Sequence, residues 1–169
     1  MNFFYSRGIS FIGFLICCFL LGFAAYLQLH LGLLPCPLCV VQRILVLMLG
    51  VIFLIGALYT PPNVIGKKIH SGFLIFFSVF GVLVAGRHVW LTLQPPSNLA
   101  TCSPTLEYMF QHLAFTQTLK ILLLGTDDCA KDTWRMFGLN IPEWTLLFFI
   151  AATAFAIIRF VIAKPEKGL

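Results

Sequence analysis

The stretch Pro35-Cys36-Pro37-Leu38-Cys39-Val40-Val41-Gln42-Arg43 leads directly into Ile44 to Tyr59, a run without one charged residue. A C-x-x-C pair therefore stands at the mouth of a segment apolar enough to enter a bilayer. At this spacing two sulfurs come within bonding distance across one helical turn. The unpaired N–H groups and dipole of a helix start favour the thiolate. Pro35 and Pro37 stiffen the approach by fixing φ. Arg43 follows Cys39 by four residues, one turn on and on the same face.

Composition extends this picture to the whole chain. Of 169 residues, 60% are hydrophobic and 10% charged, with a mean hydropathy of +0.97. Soluble domains carry about 25% charged residues. A core of this size cannot hide so much apolar surface, so the lipid is its solvent. The net charge of +5 does not indicate nucleic acid. The basic residues are few and cluster at the ends of apolar runs, where they orient a membrane protein.

Four such runs are expected to span as helices, at about residues 9–29, 38–59, 72–93 and 144–163. An open sheet edge in lipid would leave backbone groups unpaired, which excludes strands. The first run is longer than a signal-peptide core and lacks a clear small-x-small cleavage site, so it is expected to be retained. The fold class is thus an all-α integral membrane protein, a four-transmembrane-helix bundle forming one domain over 1–169. Arg7, Lys67, Lys68, Arg159, Lys164 and Lys167 fall on one side. The positive-inside bias makes that side cytoplasmic, with both termini. The loops at about 30–37 and 94–143 then face outward, into the periplasm of a bacterium. All four loop cysteines, Cys36, Cys39, Cys102 and Cys129, lie on that oxidising side.

The long outer loop opens on the breaker cluster Gln94-Pro95-Pro96-Ser97-Asn98. Ser103-Pro104 reads as a helix start, and Leu106, Met109, Phe110 and Leu113 recur with helical spacing. Leu119 to Leu124 is too short to span and is expected at the membrane surface. The loop is therefore expected to carry short helices, and Trp144 to anchor the last span at the interface.

The cysteines admit more than one chemistry. The C-x-x-C pair fits a redox dithiol, a stable staple or half of a zinc site. Zinc asks for four ligands, commonly from a second close pair. Cys102 and Cys129 are too far apart in sequence to supply one, so no metal is expected. Val40 after Cys39 excludes c-type haem attachment. Cys102 and Cys129 should pair in an oxidising compartment, either as an inert loop staple or as an exchangeable disulfide. Arg43 can stabilise a thiolate or hold a carbonyl, or can snorkel to headgroups. Cys17 and Cys18, mid-span, read as packing residues. Arg87 and His88 read equally as cofactor-pocket lining or as a packed pair. His30, His70 and His112 have no neighbouring constellation, and Gln94 lies near the depth of Arg43.

The four spans, Cys36-Pro37-Leu38-Cys39-Val40-Val41-Gln42-Arg43, Ala100-Thr101-Cys102, Asp128-Cys129-Ala130, Phe137-Gly138-Leu139 and Pro142-Glu143-Trp144 together resemble the disulfide bond formation protein B (DsbB) family. The resemblance covers nearly the whole chain. It implies an inner-membrane dithiol:quinone oxidoreductase that reoxidises a periplasmic thioredoxin-like (DsbA-like) dithiol oxidase. It implies a Cys102–Cys129 disulfide attacked by that partner, with Cys102 forming the mixed disulfide, and a Cys36–Cys39 disulfide that reoxidises the loop pair. Cys39 would pass electrons to ubiquinone or menaquinone, with Arg43 and, more weakly, Gln94 as quinone-binding residues. Two alternatives remain at this stage. One is a non-enzymatic scaffold stapled by two disulfides. The other is a conduit carrying reductant outward, for which Cys17 and Cys18 are the only thiols within reach of the cytoplasmic side.

Overall fold

The computed structural model describes residues 7–32, 36–59, 63–93, 135–136 and 138–163. Four long helices make up most of these: α1 (Arg7–Leu31), α2 (Pro37–Leu58), α3 (Val64–Thr92) and α4 (Ile141–Ile162). All four are long and apolar enough to cross a membrane. The short helices expected in the outer loop, along with Gln94, Cys102 and Cys129, lie outside the described residues.

Each helix starts where local chemistry permits. Cys36 caps α2 in an extended conformation, and Pro37 takes the first helical position, where a missing N–H costs nothing. Helix α3 begins at Val64, about two turns before the expected apolar run. The added turns carry Lys67 and Lys68, charges that lower hydropathy without lowering helix propensity. Ahead of α4, the two-residue strands β1 (Arg135–Met136) and β2 (Leu139–Asn140) pair antiparallel. Gly138 takes φ 83° in the turn between them, a conformation that favours glycine. The Asn140 N–H donates to Glu143 Oε2 at 2.7 Å and closes the start of α4.

The helices alternate in direction, as their contacts show. Arg159 Nη1, late in α4, donates to Ser10 Oγ, early in α1, at 3.3 Å. His70, early in α3, lies 2.9 Å from the Ile52 carbonyl oxygen, late in α2. One bundle end therefore gathers Ser10, His70 and Arg159. The other gathers Cys36, the last turns of α3 and the start of α4.

The core is narrow. Cys17, Leu45, Val46, Leu49, Phe53, Leu74, Ala85, Phe149 and Ala156 form one buried cluster along its axis. Large side chains such as Phe19, Phe76, Leu83 and Val161 point outward. Surface this apolar matches lipid, so burial from water does not drive these helices together. Association rests on close van der Waals packing and interhelical hydrogen bonds. Small residues supply the close approach: the ring of Phe53 packs on Gly13, and that of Phe149 on Gly81. Cys17 lies in the core against Gly50, as expected of a packing residue, whereas Cys18 is exposed.

Candidate functional site: a dithiol at the end of the bundle

Cys36 and Cys39 occupy the first turn of α2. The Cys36 thiol donates to Cys39 Sγ at 3.3 Å. The Cys39 backbone N–H in turn donates to Cys36 Sγ at 3.4 Å. A sulfur in the cap position thus takes up one of the N–H groups that a helix start leaves over, where negative charge is favoured.

The two sulfurs see different surroundings. Cys36 is buried, packed with Leu38 of α2 and Leu91 of α3. Cys39 is half-buried, as is Arg43 one turn on, and the same side of α2 continues in exposed Ile44 and Leu47. Cys36 is thus enclosed, whereas Cys39 packs against the same cluster from its edge and stays partly open to the bundle surface.

Arg43 does follow Cys39 along that side, but its guanidinium reaches across to α1. Nη1 donates to Gln28 Oε1 at 2.7 Å and Nη2 to the Ala24 carbonyl oxygen at 3.2 Å. Two of its five N–H donors are thus engaged. Gln28 carries no signal in the sequence, since it is one polar residue among apolar ones in α1.

Behind Cys36 lies a polar pair that sequence reasoning did not assemble. The His88 imidazole is fully buried, with Nε2 3.7 Å from Cys36 Sγ and Nδ1 3.1 Å from the Gln42 side-chain amide. Gln42 lies within the quoted motif, but spacing along α2 alone gives it no partner. For His88 both readings had stood open, and it faces inward beside the dithiol. A signal did exist: Leu74, Ser78, Gly81, Ala85 and His88 recur at four and three residues, which is the seam of a packed helix. All five are buried.

Fold and site together define a class: a multi-pass membrane protein with a paired-thiol centre at one end of its helix bundle. The family model for "Disulfide bond formation protein DsbB" matches residues 6–159. Disulfide bond formation protein B of Xylella fastidiosa is 40% identical over 157 residues, 93% of this chain and 91% of the relative. Disulfide bond formation protein B 1 of Pseudomonas aeruginosa is 41% identical over 154 residues, 91% of this chain and 94% of the relative. The Chromohalobacter salexigens protein of the same name is 43% identical over 138 residues, 82% and 80% of the two chains. The chain belongs to the DsbB family.

Proposed function

We propose that this protein is an inner-membrane thiol oxidase supporting disulfide bond formation. It takes two electrons from a periplasmic thioredoxin-fold dithiol oxidase and delivers them to a membrane quinone, ubiquinone or menaquinone. The orientation is the one expected from charge, with the dithiol end periplasmic and both termini cytoplasmic.

The observation that carries this reading is the division of the dithiol between two environments. Cys36 is enclosed in the bundle, whereas Cys39 and Arg43 are partly open on the side of α2 that continues in exposed Ile44 and Leu47. A lipid-dissolved carrier meets that side first. The donor set suits a quinone ring: a thiol, a cation whose planar fork can hold carbonyl oxygen, and apolar Ile44 and Leu47 for an isoprenoid tail. When bound, a quinone supplies an acceptor for two electrons and two protons.

The chain's own residues account for the thiol steps. A thiolate of the partner attacks the Cys102–Cys129 disulfide at Cys102, forming a mixed disulfide and freeing Cys129. The partner's second thiolate resolves that bond, leaving the partner oxidised and the loop pair reduced. A loop thiolate then attacks the Cys36–Cys39 disulfide, and the second loop thiolate completes the exchange, so Cys36 and Cys39 become the reduced pair. Each exchange breaks one S–S bond and forms another, so the electron pair moves inward without loss. An outer loop of about 49 residues has ample reach for this meeting. The start of α2 stabilises the sulfur released at Cys36, and Arg43, held to α1 through Gln28 and Ala24, brings a fixed positive charge to the turn of α2 after Cys39.

The test is quinone reduction by the full-length protein in detergent with a reduced thioredoxin-fold partner, followed by quinone absorbance. Cys39→Ser is expected to abolish it while still allowing the partner to be trapped at Cys102. Quinone reduction that survives Cys39→Ser refutes the proposal.

A further inference from the structure

Read with the neighbouring helix, the C-x-x-C pair is more than a dithiol. Cys36 Sγ, Cys39 Sγ and a ring nitrogen of His88 lie within 4.8 Å of one another. The geometry points to a metal site of two thiolates and one imidazole, formed when the pair is reduced and taking a borderline-to-soft divalent cation such as Zn2+.

The distances are close to what such an ion needs. Zinc binds sulfur at about 2.3 Å and imidazole nitrogen at about 2.0–2.1 Å, with tetrahedral angles. Tetrahedral ligands at those lengths stand about 3.8 Å apart for sulfur–sulfur and about 3.6 Å for sulfur–nitrogen. Here the two sulfurs are 3.3 Å apart, and Cys36 Sγ is 3.7 Å from His88 Nε2. Opening the sulfur pair by about half an ångström and swinging Cys39 Sγ toward His88, from which it stands within 4.8 Å, completes the fit by side-chain rotation. The missing second close pair of cysteines is thus replaced by one histidine from another helix.

The surroundings fit as well. A bound imidazole is commonly oriented by a hydrogen bond from its other nitrogen. Gln42 Nε2 stands 3.1 Å from His88 Nδ1, and a half-turn of the amide brings its oxygen to that place, where it accepts the Nδ1–H when Nε2 is the ligand. Two thiolates cancel the charge of a divalent cation, which suits a pocket lined by Leu38 and Leu91. The fourth position stays open for water or another small ligand, as in three-ligand zinc sites.

Binding is a proton exchange and involves no electron transfer. The two thiols lose two protons, and one cation gains two sulfur bonds and one nitrogen bond. A Cys36–Cys39 disulfide has no thiolate to offer, so the cation and the disulfide exclude one another. The cation therefore holds the pair reduced and blocks its oxidation.

The test uses full-length protein in detergent, reduced with a phosphine that is then removed. A Cys102→Ser/Cys129→Ser background leaves the α2 pair as the only loop thiols. Co2+ is titrated in as a spectroscopic probe and displaced with Zn2+. The expected result is one equivalent of Co2+ with sulfur charge-transfer bands and tetrahedral ligand-field bands. His88→Ala should weaken binding tenfold or more, and Gln42→Leu about tenfold. Cys39→Ser, a change of one atom at a half-buried position, should lose the charge-transfer bands, and protein carrying the Cys36–Cys39 disulfide should bind none. His88→Cys should retain the ion with stronger charge transfer. Undiminished binding by Cys39→Ser or His88→Ala, or by the oxidised protein, overturns the site, as does absence of binding in the double-serine background. The assay needs neither quinone nor partner, so its failure leaves the proposed oxidase activity untouched.

Discussion

Placing a methyl group at Gly81 tests how α3 and α4 hold the site. A Cβ built at Gly81 falls on ring carbons of Phe149, and both residues are fully enclosed. The ring cannot swing aside freely, because Phe149 is 0% exposed within the core and packs against Phe148 at a centroid distance of 5.5 Å. Overpacking of this kind costs about 1–3 kcal/mol. Lipid removes the usual compensation, since interfaces between spans depend on close contact at small residues. Gly81→Ala should therefore raise the unfolded fraction by about 5-fold or more. The sign should reverse once the ring is gone. Phe149→Ala alone leaves a cavity worth about 3–5 kcal/mol. In that background Gly81→Ala refills space and gains up to about 1 kcal/mol of helix propensity. Reversible unfolding in mixed micelles by stepwise addition of dodecyl sulfate, read by circular dichroism, measures all four corners of the cycle. Gly81 lies two turns from His88 on one seam, so the single substitution should also alter the alkylation rate of Cys36, and the double substitution should restore it. Equal effects of Gly81→Ala in both backgrounds would refute the argument.

Three further substitutions probe other joints by the same unfolding titration or by hydrogen exchange. Gln28→Leu removes the charge-assisted bond that ties Arg43 to α1 and should cost about 1.5–3 kcal/mol; no loss would mean that Ala24 alone anchors the guanidinium. Gly56→Ala sets a methyl 2.7 Å from His70 Nε2, displaces the imidazole from the Ile52 carbonyl and should cost about 1–3 kcal/mol. Glu143→Ala leaves the Asn140 N–H without its 2.7 Å acceptor and should cost about 0.5–2 kcal/mol. That loss should appear as faster amide exchange confined to the first turn of α4, and unchanged protection there would dismiss the cap.

The spans were legible because lipid imposes a blunt rule: an uncharged run of sufficient length becomes a helix. The rule blurs at α3, where Lys67 and Lys68 interrupt the apolar run without interrupting the helix. The start of α2 was legible for a local reason, since cap, proline and second cysteine are consecutive in the chain. Contacts that depend on how one helix is rotated against another were not legible. Arg43 meets Gln28 15 residues back, and Gln42 meets His88 46 residues on. Neither pairing leaves a trace in spacing along one helix. The placement of Arg43 beside Cys39 rested on i to i+4 geometry alone. That geometry held for the backbone, while the long side chain took its partners from α1.

The position of the pair along α2 explains why a three-residue spacing serves the proposed chemistry. With the first sulfur at the cap, the second falls at the third helical residue, about 60° short of a full turn from its mate. That offset keeps the sulfurs 3.3 Å apart while enclosing one and leaving the other partly open at the edge of the same cluster. Moving the second cysteine to position 38 would bury both, since Leu38 packs with Cys36 and Leu91. Moving it to position 40 would place it beyond the cap's reach, because the N–H that Cys36 Sγ accepts belongs to residue 39. A cysteine pair that must take electrons from a polar loop and release them into the membrane has to stand on that boundary, and on this helix the spacing of Cys36 and Cys39 puts it there.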